Sequence, residues 1–343
     1  MNIIQEQLHN GWRRFKISNH NKMQVTFLNY GGIITEILVP DKHGNVENVV
    51  LGYQNIEDYK RDANFFGAMI GRVAGRIQDA SFKLDGKHYN PEANDGNNCL
   101  HSGASGFHRV IWDAVPFQTA DEAGVKLTYT SQDGEGGFPG TIEVAVTYTL
   151  NNQNQFIIDY EAISDETTAL TLTNHTYFNL SGNQSDTIKQ HTVKINSSHF
   201  IELDQNLIPT GNKLNVSHTP FDFRHGRKLI DGIASGTDQN AIAGNGYDHY
   251  FLFDHERGNI RVNEESSGRV MEIETNQPGV VMYTGQNLEE GLALKGERSR
   301  KYAGVCFETQ GPPASLHHDG FPSIILKANT RYSKQTSFTF GTE

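Results

Sequence analysis

The sequence predicts an all-β protein, a large antiparallel sandwich-like domain spanning residues 1–343 with few short helices. Three observations carry that reading. Apolar residues fall in short runs rich in Val, Ile, Thr, Tyr and Phe, which suit a pleated, half-buried surface. Helical spacing of apolar residues is nearly absent along the chain. No repeat, linker or low-complexity tract divides it, and 36% hydrophobic residues with 34 glycines supply a large core and many tight turns.

Met23 to Val39 reads as two strands broken at Tyr30-Gly31-Gly32, and the run NVVLGY continues these opening hairpins after the turn-like Asp41 to Asn45. Ile56 to Arg61 is the first segment suited to a short helix. In FFGAMIGRVAGRI, from Phe65 to Ile77, small residues alternate with Arg72 and Arg76, so closely packed backbone would present two guanidinium groups. Either arginine could equally bind a surface carboxylate. Asp85-Gly86, between SFKL and KHYN, is the strongest hairpin signal in the chain. His101 follows in a loop rich in Gly, Asn and Ser, where it is either idle or held over a site.

Val125 to Thr130, Ile142 to Leu150 and Phe156 to Ile163 read as three more strands. The Gly-rich DGEGGFPG between the first two lacks the Lys-Ser/Thr of a phosphate loop and leads into a strand. A continuous strand is expected from Leu170 to Ser181, with Thr173, His175, Tyr177 and Asn179 sharing one face. An imidazole, a phenol and a carboxamide on one face suit a polyhydroxylated ligand, and a satisfied core histidine is the plainer alternative. Thr219 to Gly246 reads as a long irregular section leading to Asp248, which stands at the entry to an apolar run. Short strands are expected over Val270 to Thr275, Val280 to Thr284, Val305 to Thr309 and Ser323 to Leu326. In VCFETQ, alternation groups Cys306, Glu308 and Gln310, and a carboxylate inside such a run is costly to bury unless bonded or used.

Composition excludes several function classes. A net charge of -11 without clustered Lys and Arg argues against nucleic acid and acidic membrane as partners, and favours a neutral ligand. No apolar stretch is long enough to span a bilayer, and no basic segment followed by an apolar run marks the start, so the cytoplasm is expected. Cys99 and Cys306, the two cysteines, are expected as free thiols that fill space. His317-His318-Asp319 lacks the spacing of a closed ligand set, and no metal is expected there.

Seven segments in order resemble one known family: LGYQNIEDYKRDANFFGAMIGRVAGRI, LHSGASGFHRVIW, GFPG, LTNHTYFNLSG, GYDHYF, CFETQ and GFPSIILKANTRYSKQTSF. The chain is similar over almost its whole length, from about Tyr30 to Phe340, to the aldose 1-epimerases, also called galactose mutarotases. The resemblance implies a large antiparallel β-supersandwich and the interconversion of α and β anomers of hexoses such as galactose and glucose. It implies Glu308 as catalytic base, His175 as catalytic acid, His101 as a second active-site histidine, and Arg76 and Asp248 as binders of sugar hydroxyls. No metal or organic cofactor is implied, and the partner is a monosaccharide bound by a monomer or homodimer. Two departures stand out: Gly75 replaces a frequent asparagine, and Val281 replaces a glutamine found near the sugar in some members.

The residue types permit that chemistry. Ring opening takes a proton from the C1 hydroxyl and gives one to the ring oxygen, and a free Glu near pKa 4.3 with a free His near 6.5 could be ionised and protonated together. Which histidine carries the proton is left open by sequence. The alternatives are a glycosidase using Asp248 and Glu308, a non-catalytic sugar-binding module, and a hexose-6-phosphate epimerase, for which Arg72 is the one spare cation in view.

Overall fold

The computed structural model describes residues 1–8 and 11–343 and is built from three large antiparallel sheets. The first is a five-stranded meander of Asn2–Gln7, Arg13–Ser18, Gln24–Leu28, Ile34–Pro40 and Val46–Asn48. NVVLGY therefore joins the sheet only at its start, and its buried remainder is held by single bridges such as Val50 to Phe178. The second sheet has nine strands, in the order Asp113–Gln118, Glu122–Ser131, Ile142–Asn151, Gln155–Ser164, Arg331–Thr342, Arg269–Thr275, Gly258–Asn263, Thr192–Ile195 and Arg227–Lys228. The third has six: Tyr177–Phe178, Val305–Gln310, Gly279–Tyr283, Asp248–Leu252, His199–Leu203 and Pro209–Asn215.

Alternation on each strand sends one set of side chains inward, and the inward sets pack across the sheets. Phe27 of the meander meets Tyr148 of the nine-stranded sheet edge to face, with ring centroids 5.0 Å apart. Phe178 of the six-stranded sheet meets Phe338 of the nine-stranded sheet at 5.3 Å. The resulting apolar core runs from Phe15 to Phe340 in sequence, as an all-β supersandwich requires.

Local expectations hold where turn chemistry is strong. Asp85 and Gly86 both have positive φ and close the hairpin Phe82–Leu84 to Lys87–Tyr89. Ile56–Arg61 is a 3-10 helix capped by the Asn55 side chain. Two expectations fail. The section from Thr219 to Gly246 contains short helices at Leu229–Ile233 and Asp238–Ile242. These lack the length for an apolar stripe, so periodicity could not reveal them. The second failure concerns Leu170 to Ser181. That stretch breaks at Thr176: Thr173–His175 pairs with Ala68–Ile70, whereas Tyr177–Phe178 joins the six-stranded sheet beside Cys306 and Val305. Changing partners mid-stretch breaks the strand and takes Asn179 off the shared polar face, while His175 and Tyr177 still open onto one cavity.

Candidate active site

The two halves of that broken stretch frame a cavity of about 240 Å³ at one end of the six-stranded sheet. Glu308 enters from the Val305–Gln310 strand, Asp248 from the start of Asp248–Leu252, and Val281 and Tyr283 from the strand between them. Two short ribbons close the other side. Thr173–His175 brings His175, and Arg76–Ile77, paired with Cys99–Leu100, brings Arg76 and sets His101 just beyond its end. All five residues named from sequence, His101, His175, Arg76, Asp248 and Glu308, line this one pocket.

The mounts are stiff. Gly67 has φ +68°, and a Cβ there would lie 1.9 Å from the Ile34 carbonyl oxygen, so only glycine fits. Its N–H donates to the His175 carbonyl at 3.0 Å, and its own carbonyl accepts from the Asn174 side chain at 2.9 Å. His101 is clamped twice by one residue. Its N–H donates to the Gly75 carbonyl, and its ring Nδ1 accepts the Gly75 N–H, both at 3.1 Å. A backbone N–H can only donate, so the proton of the His101 ring sits on Nε2.

His175 Nε2 lies 3.5 Å from Glu308 Oε1, and both side chains are buried. Phe65, at φ +58°, lays its ring against both histidines, with centroids 4.7 Å from His101 and 5.7 Å from His175. Below it, Asp62 accepts the N–H groups of Asn64 and Phe66 at 2.8 and 2.7 Å, and the Tyr53 hydroxyl at 3.0 Å. Arg76 donates to Asp95 at 2.7 Å through Nε and lies 3.6 Å from Asp248 through Nη1. An opposed guanidinium and carboxylate at the pocket wall can grip adjacent hydroxyls of a sugar from both sides.

Electrostatics differ from the free-residue values. Burial pushes the Glu308 carboxyl well above its usual range; the Asp248 charge adds to this and Arg76 opposes it. Burial likewise lowers His175 to about 4, and holds His101 well below 6.5 with help from the neighbouring histidines and Arg76. Asp248 rises to about 6, again from burial and against Arg76. Burial thus disfavours a freely ionised Glu beside a freely protonated His and favours one exchangeable proton between the pair.

Other sequence readings resolve into structure. Asn179 does not face the pocket; its amide donates to the Asp186 and Ala303 carbonyls. Arg72 is buried and gives its N–H groups to Ser131, Gln132, Pro139 and Gly140, so it ties down the Gly-rich loop and meets no carboxylate. His317 and His318 turn to different backbone carbonyls, those of Ser81 and Pro209. Donor atoms of His101, His175 and Glu308 do lie within 4.8 Å of one another. Yet a metal on His101 Nε2 would need that nitrogen bare while Gly75 already occupies Nδ1, so the donor set does not fit a neutral imidazole ligand. Phe65, Tyr250, Tyr283 and Asn287 also line the cavity; local patterning does not distinguish the three aromatics from core, or Asn287 from any other exposed turn residue.

The aldose 1-epimerase family model matches residues 13–339. Galactose mutarotase of Bos taurus is 38% identical over 93% of this chain and 92% of its own. Aldose 1-epimerase of Streptococcus thermophilus is 33% identical over 95% and 94%. The solved structure of an aldose epimerase homologue from C. elegans superposes with a TM-score of 0.86 at 30% identity, covering 95% of this chain and 98% of that one. A supersandwich with this pocket, matched over more than nine tenths of its length by these relatives, belongs to the aldose 1-epimerase family.

Proposed function

We propose that this pocket exchanges the α and β anomers of a free aldose, galactose and glucose first, with Glu308 as base and His175 as acid. Family membership gives the reaction class: the protein is an isomerase acting on a small sugar, and the fold is that of the galactose mutarotases. One observation carries the assignment of roles. A carboxyl and an imidazole stand 3.5 Å apart in the buried floor of a pocket whose wall holds an Arg–Asp pair.

With the pair's one exchangeable proton moved from Glu308 onto His175 Nε2, the Glu308 carboxylate takes the C1 hydroxyl proton as His175 gives its Nε2 proton to the ring oxygen, and the ring opens. The aldehyde end then turns about the C1–C2 bond while Arg76 and Asp248 keep the distal hydroxyls in place. On closure from the other face, the Glu308 proton returns to O1 and His175 recovers its own, so the pair is reset with no net change. His101 serves as a fixed donor, because Gly75 holds its proton on Nε2 and burial resists a second one.

Among the lining residues Arg76 is the one Lys or Arg, and it is engaged by Asp95 and Asp248. That favours unphosphorylated sugars over their 6-phosphates. One chain supplies every named group, so monomer and homodimer both accommodate the reading, and the core spanning Phe15 to Phe340 favours a single domain. No helix among the described residues is long and apolar enough to cross a membrane. Two buried free thiols, Cys99 and Cys306, favour a reducing compartment such as the cytoplasm.

Polarimetry on freshly dissolved α-galactose, beside a chromogenic galactoside, tests the reading. We expect rapid loss of optical rotation without aglycone release, and a fall of at least about a hundredfold in Glu308→Gln, the usual cost of losing a general base. Aglycone release, or a full rate in that variant, overturns it.

A further inference from the structure

Cys306 sits on the same strand as Glu308, two residues earlier, and its Sγ lies 3.5 Å from Nδ1 of His175 in a fully buried contact. Nε2 of the same ring faces Glu308. The two ring nitrogens therefore have distinct neighbours, sulfur on one side and the reacting groups on the other. We propose that Cys306 is a positioning residue whose sulfur accepts the Nδ1–H of His175, so that Nε2 alone gains and loses the catalytic proton.

This role for Cys306 depends on the one proposed for His175 and follows from the count of protons on the ring. An imidazole that hands a proton to the sugar from Nε2 must keep its other proton on Nδ1, or it would end as an imidazolate. Nδ1–H then needs an acceptor, because a buried donor left unpaired is costly. Among the described residues, the Cys306 sulfur is the side-chain partner within reach of Nδ1, at a separation suited to a weak N–H to sulfur bond. Burial pushes the Cys306 thiol well up, so the sulfur stays a neutral thiol that can accept. His101 has the reverse arrangement, with a backbone N–H on Nδ1. The two histidines are thus held in opposite tautomers, one fixed as a donor and one free to exchange at Nε2.

The decisive measurement is the nitrogen-15 spectrum of His175 in the wild-type protein, assigned by its loss in His175→Asn. At pH 7 we expect a neutral ring protonated on Nδ1; a ring protonated on Nε2 overturns the proposal whether or not the Cys306 variants fold. In Cys306→Ala we expect kcat for galactose to fall about tenfold with KM within about twofold, and Cys306→Ser, whose hydroxyl restores an acceptor, to stay within about threefold of wild type. An unchanged kcat in Cys306→Ala, or equal losses in both variants, also overturns it. Full mutarotase activity in His175→Asn would instead remove the reading on which the proposal rests.

Discussion

His101 and His175 lie at a centroid separation of 5.4 Å under the same Phe65 ring, yet their mounts differ in kind. His101 stands at positive φ at the end of a two-residue ribbon, with its Nδ1 spent on a main-chain N–H. His175 belongs to a strand pairing, and its Nε2 points at a carboxyl. Both rings are dry and both resist a second proton, so burial does not separate their tasks. The neighbour of each nitrogen does. A backbone donor makes a histidine a permanent hydrogen-bond donor at its far end, and a titratable partner makes it an exchanger.

The largest effect should follow from exchanging the two fates. His175→Asn removes the exchanging nitrogen, and we expect the mutarotation rate constant with galactose to drop by at least about a hundredfold. His101→Gln keeps a donor but loses the Gly75 clamp, so the loss should be nearer tenfold, the cost of one hydrogen bond to a charged or developing centre. Polarimetric kcat values for the two variants side by side give the ranking. Equal losses would mean that both rings cycle a proton, and the contrast between their mounts would lose its meaning.

The shared proton sharpens the contrast through pH. Glu308 is raised and His175 lowered, so we expect the singly protonated pair to be the active form. A second proton enters His175 at about pH 4 and leaves no base, so kcat/KM should fall about tenfold per unit below that point. On the alkaline side, rate is lost as the proton leaves Glu308, above the ordinary carboxyl range. At pH 5 Glu308 should still show a protonated carbonyl stretch in the infrared. Asp62 and Asp248, each pushed up to about 6 by burial, contribute bands of their own, so the difference spectrum against Glu308→Gln is the readout. No difference band at pH 5 would place Glu308 at its free value and refute the shared proton.

How far the sequence reveals this depends on range. Asp85-Gly86 declares its hairpin because the turn chemistry is local, and the alternation of VCFETQ marks Glu308 as an anomalous buried carboxylate. The resemblance then assembled five distant residues that do share one pocket. What stayed hidden is set by contacts between segments. Thr176 looks like any strand residue, and only the competition between Ala68–Ile70 and Val305–Gln310 for the same stretch breaks it there. Asn179 alternates in phase with His175, but the break and the carbonyls of Asp186 and Ala303 take it elsewhere. Arg72 and Arg76 are indistinguishable in GRVAGR, and the Gly-rich loop folding over one of them decides which is left to line the pocket.

Gly75 gives the smallest and most local way to disturb the comparison. Its φ of +79° is unfavourable for residues with a Cβ, and a Cβ there would lie 2.9 Å from Cγ and 3.0 Å from Cβ of Pro313. Gly75→Ala therefore has to shift the backbone or the proline ring, and the N–H that fixes His101 moves with it. The strain should destabilise by about 1 kcal/mol, seen as a lowered midpoint in thermal unfolding. The activity change should be about threefold, because the proposed catalytic pair is held by other strands, Thr173–His175 and Val305–Gln310. Adding the substitution to His101→Gln separates the causes. If Gly75 acts on the rate through the His101 ring, the double variant should be no slower than His101→Gln alone, while the loss in thermal midpoint persists. A further slowing of the same size would mean that Gly75 shapes the pocket directly and that the tautomer clamp on His101 has no share in catalysis.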